Sequence, residues 1–405
     1  AKPAAITFPL LAALLELWQR RTITRRYYLL PLLLAGAVAA LAAYAQAVGG
    51  ATSALADGPL TARLLNAMAA IGAYGWQTLW PRHLALQCQH RWPLLPHYWQ
   101  HGLIVTLLLG VGLTLLIRRL VWQWQHCAGE WQTNAPWWQV RLTAALLFPL
   151  LAVAPMLGIA HFGIHARADR FTYLPAIGIS MLLLAVGARL TRRLSRRRRL
   201  LLAAAGVAAL LLLAQQTQQQ ARLWRNEATL FGNTLALDGP ENIQAHLALS
   251  KYHYEVSHNL PLARHHLTEA LQRDPANAGQ YGFLLAIMLL EEGETAAVAA
   301  VAAQQLAWVE EFKRRLAAND AKATQLRYAI PSLLAFAAQH IAEGDYELAQ
   351  EKLDYLARLR PDSPWVPWLR YLQAQRQGDV AAAAKARRAV RRAHGEPYLR
   401  HRFLE

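Results

Sequence analysis

The chain has 405 residues, 55% of them hydrophobic and 17% charged, with a formal charge of +17 and a mean hydropathy of +0.13. Soluble domains carry about 25% charged residues, so an ordinary globular composition is excluded; the Leu- and Ala-rich text with 14 Trp excludes intrinsic disorder, and two cysteines exclude a disulfide-built scaffold. Residues 1–214 hold 20 of the 42 Lys and Arg against four acids (Glu16, Asp57, Glu130 and Asp169), so the excess charge sits in the greasy half, as membrane-topology signals do.

The first residue is Ala, and no charged segment with a cleavage site precedes the opening apolar run. A secretory signal peptide is therefore not expected, and the sequence reads as starting inside a longer protein. Six apolar stretches are expected to span a bilayer: 5–18, 29–48, 102–117, 142–164, 172–188 and 200–214. A span takes about 20 residues. The first, third and sixth are short and need interfacial Gln, Trp and Arg to complete them.

Arginine-rich connectors set the orientation. Arg20, Arg21, Arg25 and Arg26, then Arg118, Arg119 and Arg141, then the group from Arg189 to Arg199 alternate with connectors that carry only Arg63, Arg82, Arg91, Arg167 and Arg170. By the positive-inside rule the rich connectors are cytoplasmic, which puts 49–101, 165–171 and everything after 214 on the other side. Cys88 and Cys127 then fall on opposite sides and are expected to be unpaired thiols without a metal or redox role.

Within the outer connector 49–101, the stretch 64–80 (LLNAMAAIGAYGWQTLW) is predicted to be a helix that either lies along the interface or dips partway into the membrane. The text after it, WPRHLALQCQHRWPLLPHYW, reads either as an aromatic belt or as a groove wall facing an amphiphilic substrate. The connector HARADRFTYLP places His165, Arg167, Asp169, Arg170 and Tyr173 between two apolar spans, where charge is costly and usually paired or functional. One reading is a structural pair of Asp169 with Arg167 or Arg170. The other is that the arginines grip a phosphate or pyrophosphate, such as a polyprenyl carrier's headgroup, with Asp169 orienting an arginine and not acting as a base.

Other motifs carry no chemistry. Gly110 and Gly112 sit in an apolar helix as packing features, and His265–His266 is a surface pair and not a metal site. Nucleotide-binding loops, zinc spacings and serine elbows fail their context requirements.

After Ala214 the text becomes Gln-rich and then charged and Ala-rich, with a repeat near 34 residues. One unit places Leu247 and Tyr254 before Ala263, Leu267, Ala270 and Pro275, and a later one repeats the spacing at Ala337, Ala349 and Pro361. Ala297 and Ala383 mark weaker units, and 223–240 reads as a leading half-unit. This predicts a tetratricopeptide solenoid with a concave binding face. Its basic end (Lys385, Arg387, Arg388, Arg391, Arg392) reads as a solvated helix face, with weak contact to acidic lipid headgroups as a minor reading.

Four blocks occur in order ahead of the repeats: KPAAITFPLLAALLELW (2–18), GWQTLWPRHLAL (75–86), ADRFTYLPAIGI (168–179) and RLWRNEATLFGNTLALDGPENIQAHL (222–247). The chain resembles the bacterial relatives of the transmembrane-and-tetratricopeptide-repeat O-mannosyltransferases, in the GT-C glycosyltransferase superfamily. That resemblance implies a lipid-phosphate-linked sugar donor, transfer on the non-cytoplasmic side and repeats that present a protein or glycan acceptor. In that superfamily the acidic catalytic motif lies in the first outer loop near the N-terminus, so no residue here inherits it, and any divalent metal would be held by residues upstream. Lys2, His165, Arg167 and Arg170 are nominated for lipid-phosphate contact, with Asp169 and Tyr173 as orienting or structural residues.

The expected architecture is all-α: a multispanning transmembrane bundle over 1–214, then a periplasmic tetratricopeptide solenoid over 215–405, in a bacterial inner membrane. The expected function is the C-terminal part of a polyprenyl-phosphate-dependent glycosyltransferase. The alternative is a non-enzymatic membrane-anchored scaffold for envelope, pilus or secretion assembly. A nucleic-acid partner is not expected, because the charge lies in separate loops and not on one face.

Overall fold

The computed structural model describes residues 6–19, 26–48, 60–82, 84–89, 15 residues between 103 and 122, 137–157, 165–192, 194–273, 278–319 and 322–392. The described residues are all-α apart from one short strand pair, and the chain divides into two compact units, Ala1–Arg225 and Asn226–Glu405.

The first unit contains α1 (Phe8–Trp18), α2 (Arg26–Val48), α3 (Leu60–Leu79), α4 (Trp137–Val153), α5 (Tyr173–Thr191) and α6 (Arg196–Leu223), with helical pieces over 103–122. Among the described residues two stretches are long and apolar enough to cross a membrane, Asp169–Thr191 and Arg196–Leu223. The apolar parts of α2 and of the α4 region, Tyr28–Leu41 and Val140–Met156, are shorter, and α1 has 11 residues. The expected stretch 142–164 is helical to Val153, and 158–164 lie outside the described residues. So do Lys2 and Cys127.

Packing in this unit centres on α4. Leu11 and Leu14 of α1 bury against Ala144, Phe148 and Ala152, and α5 crosses α4 at Gly178. A Cβ at Gly178 would stand 2.5 Å from Pro149 Cδ and 2.9 Å from Phe148 Cβ, so only glycine allows this approach. Arg141, at the start of α4, donates to the Trp18 carbonyl at 3.1 Å and lies over its ring, a cation at the C-terminal end of α1.

The last apolar helix does not stop at Ala214. Ser195 caps it by accepting from the Arg198 N–H, and it runs 28 residues through the glutamines to Leu223. Gln is a good helix former, so the change in composition there alters polarity and not conformation. None of its residues is buried.

The second unit is built from α7 (Glu227–Asp238), α8 (Ile243–Glu255), α9 (Leu260–Arg273), α10 (Ala278–Glu292), α11 (Thr295–Asn319), α12 (Lys322–Glu343), α13 (Tyr346–Leu359), α14 (Trp365–Gln377) and α15 (Val380–Arg392). From α8 onward the helices pair as hairpins, each packing on the next. Among the described hairpin turns, three use a glycine at positive φ, namely Gly293, Gly344 and Gly378, and in the α8–α9 turn His258 takes that position at 51°. The following helix is capped from the next residue: Asn259, Asp345 and Asp379 accept from the N–H of Leu262, Leu348 and Ala382. Gly344 and Gly378 repeat the 34-residue spacing seen in the sequence.

The small and apolar positions of that spacing face inward. Tyr254, Ala263, Leu267, Ala337 and Ala349 are buried, and Leu334, Ile341, Leu353, Leu356 and Leu369 form the largest core. Glu291 ties three helices, accepting from the Tyr254 hydroxyl on α8 and from Trp368 Nε1 on α14 at 3.1 Å.

Candidate functional site

The segment after α3 and the connector before α5 meet at one end of the first unit. Strand β1 (Cys88–Gln89) pairs antiparallel with β2 (His165–Arg167), Cys88 opposite Arg167 and Gln89 opposite His165, with a bulge between the pairs. Two of the sequence blocks, 75–86 and 168–179, are thereby brought together across about 90 residues of chain.

Helix α3 forms the floor. Asn66, Ala67, Ala70 and Tyr74 lie on its buried face, while Leu60, Leu64, Trp76, Leu79 and Trp80 are exposed. This is an amphipathic helix with an aromatic outer edge, starting four residues before the expected 64–80. Ala166 and Ala168 are small enough to lie flat on it, at 2% and 0% exposed. Asn66 Nδ2 donates to the Ala166 carbonyl at 3.3 Å, and the Ala168 N–H donates to the Tyr74 hydroxyl at 3.2 Å. A buried backbone left unpaired here would cost about 1–3 kcal/mol per group, so both side chains fix the connector.

The charged residues divide into inner and outer. Arg167 donates from Nε to Cys88 Sγ at 3.3 Å and lies beside the Asp169 carboxylate, which also accepts from the Gln77 amide and the Ala85 N–H. Asp169 Oδ2 and Gln77 Oε1 are both buried without a hydrogen-bond partner. Arg170 points the other way: it is exposed, donates one N–H to the Leu86 carbonyl at 3.3 Å, and lies over the Phe171 ring. A single 3₁₀ turn, Asp169–Thr172, makes this split by turning adjacent side chains apart.

Of the nominated residues, Arg167 thus ends β2, and Asp169 and Arg170 open the 3₁₀ turn that follows it. His165 contributes its backbone to β2, and Tyr173 is 76% exposed at the start of α5. Asn66, Tyr74, Gln77 and Cys88 belong to the site and were not anticipated. Their signal was in the sequence: positions 66, 70, 74 and 77 follow helical spacing on one face of an otherwise apolar segment. At the same end, Gln220 Nε2 of α6 donates to the Leu84 carbonyl at 3.4 Å.

Among the described residues no group of three or more His, Cys, Asp or Glu could hold a metal ion. What the arrangement offers is an exposed guanidinium with donors to spare, on the same turn as a buried carboxylate that has one unpartnered oxygen but facing away from it. No protein-family model matches the chain, and neither a curated protein nor a solved structure matches it.

Proposed function

We propose that this chain belongs to a membrane glycosyltransferase that uses a polyprenyl-phosphate-linked sugar, with Arg170 contacting the lipid phosphate and the helical repeats presenting the acceptor. The observation that carries the proposal is the division of labour at the turn. Arg167 is held inside by Asp169 and Cys88, whereas Arg170 is presented outward on a fixed backbone. An exposed, pre-oriented guanidinium at the head of an apolar helix suits a phosphate whose tail lies in lipid.

The membrane setting is supported by the surface of α6. At 1.5 Å per residue its 28 residues span about 42 Å, more than the ~30 Å hydrocarbon core. Leu200, Leu201, Leu202, Leu210, Leu211 and Leu212 are all exposed on it. In water each would forfeit roughly 1.5–3 kcal/mol of burial; lipid removes that cost. Multiple spans are supported by the exposed apolar side chains of α2 and of the helical pieces over 103–122.

Orientation is supported by which residues meet. Trp18 and Arg141, both in arginine-rich surroundings, touch at one end of the unit. The turn, Leu86 and the Gln220 end of α6 gather away from the Arg196–Arg199 end of α6. A periplasmic turn and periplasmic repeats follow if the arginine-rich end is cytoplasmic.

The test is photo-crosslinking of the reconstituted chain with a diazirine-bearing polyprenyl phosphate. The proposal expects labelled peptides from 75–89 and 165–179. Labelling confined to other helices contradicts it, and failure of the lipid to label while envelope proteins co-purify would favour the scaffold reading.

A further inference from the structure

At the last hairpin of the second unit, α13, α14 and α15 leave a cleft of about 660 Å³. Arg360, Arg370, Lys385, Arg388 and Arg392 line it over a floor that includes Val366. It adjoins a second hollow of about 380 Å³ that shares Arg370 and Lys385 and adds Gln350, Gln373 and Gln377. No acidic residue lines either part.

The spacing on α15 makes this a wall and not merely a solvated face. Lys385, Arg388 and Arg392 follow i, i+3, i+7 spacing toward the cleft, while Ala386 and Val390 are buried in the core. Arg387 and Arg391 do not line it. Across the cleft, Arg370 is paired with Asp354 at 2.5 Å, and its Nε is buried without a partner.

Gln373 supplies an independent sign of a ligand. It is 8% exposed, its Nε2 donates to the Tyr346 carbonyl at 3.3 Å, and its Oε1 is buried with no partner. An orphaned amide oxygen at the wall of a cationic cleft calls for an N–H donor.

We infer that this cleft binds an extended acidic polypeptide segment, with carboxylates on the Arg388–Arg392 wall and a backbone N–H on Gln373 Oε1. A peptide backbone offers that donor at every residue, whereas a phosphate headgroup offers none. The cleft is concave, and α15 presents alanines where an interfacial helix presents Trp, Phe or Leu. Residues 393–405 hold two Arg and two Glu, so the chain's own following segment has no acidic excess to fill it. The inference rests on the reading of the second unit as the part that handles a protein partner, and on none of the chemistry proposed for the first.

The experiment uses the full chain in detergent, without sugar donor, and reads the fluorescence anisotropy of a labelled peptide of alternating Glu and Gly. Saturable binding is expected, with none for the Lys-Gly peptide. Arg388→Glu with Arg392→Glu should weaken it about tenfold or more, as the loss of two charge-assisted contacts implies. Arg387→Glu with Arg391→Glu, the same charge change off the cleft, should leave it within about twofold. Gln373→Met should weaken binding without any change of charge. If the reversed pair unfolds, Arg388→Gln with Arg392→Gln should give the same ranking.

Equal losses in both double variants would overturn the inference. So would displacement of the peptide by phosphatidylglycerol vesicles but not by phosphatidylcholine, which would make the cleft a lipid-headgroup site. Binding that emerges only when 393–405 are removed would assign the cleft to the chain's own end. Because no transfer is measured, failure here leaves the polyprenyl-phosphate proposal standing, and the reverse also holds.

Discussion

The hydroxyl of Tyr74 accepts the backbone N–H of Ala168 at 3.2 Å, and both residues are buried. One side chain on α3 therefore sets the entry into the turn that carries Asp169 and Arg170. Tyr74→Phe keeps the ring and leaves that N–H without a partner. It should cost about 1–3 kcal/mol of stability, seen as a lower unfolding midpoint in detergent. An unchanged midpoint would mean that the turn is held by other contacts.

Arg167 and Arg170 should separate in mutagenesis. Arg167→Ala takes the neighbouring cation from the buried Asp169 carboxylate and the donor from Cys88 Sγ, and should lower the unfolding midpoint. Arg170→Ala removes an exposed side chain and should leave the midpoint unchanged. Circular-dichroism melts of the two variants would show the difference, and equal melts would count against the inner and outer roles.

Gly178 makes a third prediction. A side chain there collides with Pro149 and Phe148, neither of which can rotate away at Cβ or in the proline ring. Gly178→Val should force α4 and α5 apart and cost about 1–3 kcal/mol, as overpacking does. Gly187, with open space around it on the same helix, should tolerate the same change.

The second unit should lose stability in mild acid. His246 Nε2 lies 3.1 Å from the Pro240 carbonyl, which can only accept, so that nitrogen carries the proton. Neutral His246 then accepts at Nδ1 from the His266 Nδ1–H, 3.1 Å away. Burial pushes His266 down to about 4, helped by the neighbouring His246, His265 and His253, while Glu269 acts the other way. Burial also lowers His246 and His253. An unfolded histidine takes its proton near pH 6.5. The stabilisation is therefore present above that value and is lost as pH falls from about 6.5 toward 4. Unfolding midpoints between pH 7.5 and 5 should fall, and His266→Gln should flatten the dependence.

Much of the second unit was legible in the sequence because its contacts are local and repeat. The Gly-Asp turns at 344–345 and 378–379, with small residues such as Ala349 behind them, announce hairpins at a fixed spacing. The first unit was readable as a set of apolar helices with Arg at their ends, but its partners were not. Cys88 meets Arg167 across 79 residues, and Gln220 meets Leu84 across 136, by strand pairing and side-chain reach that no local period encodes. The polar stripe of Asn66, Tyr74 and Gln77 was visible, yet it reads equally well as the wet side of an interfacial helix. Helix α6 runs on past the apolar stretch 200–214 because hydropathy marks only where the apolar text ends, whereas helix propensity continues through Gln to Leu223.

The most direct test of the central claim is the affinity of a short-chain polyprenyl phosphate for the chain in nanodiscs, comparing Arg170→Ala with Arg198→Ala. Arg170→Ala should bind at least about tenfold more weakly, the loss expected for a charge-assisted phosphate contact, and Arg198→Ala should bind as the parent does. Equal affinities in the two variants, or a larger loss at Arg198, would contradict a phosphate site at the turn.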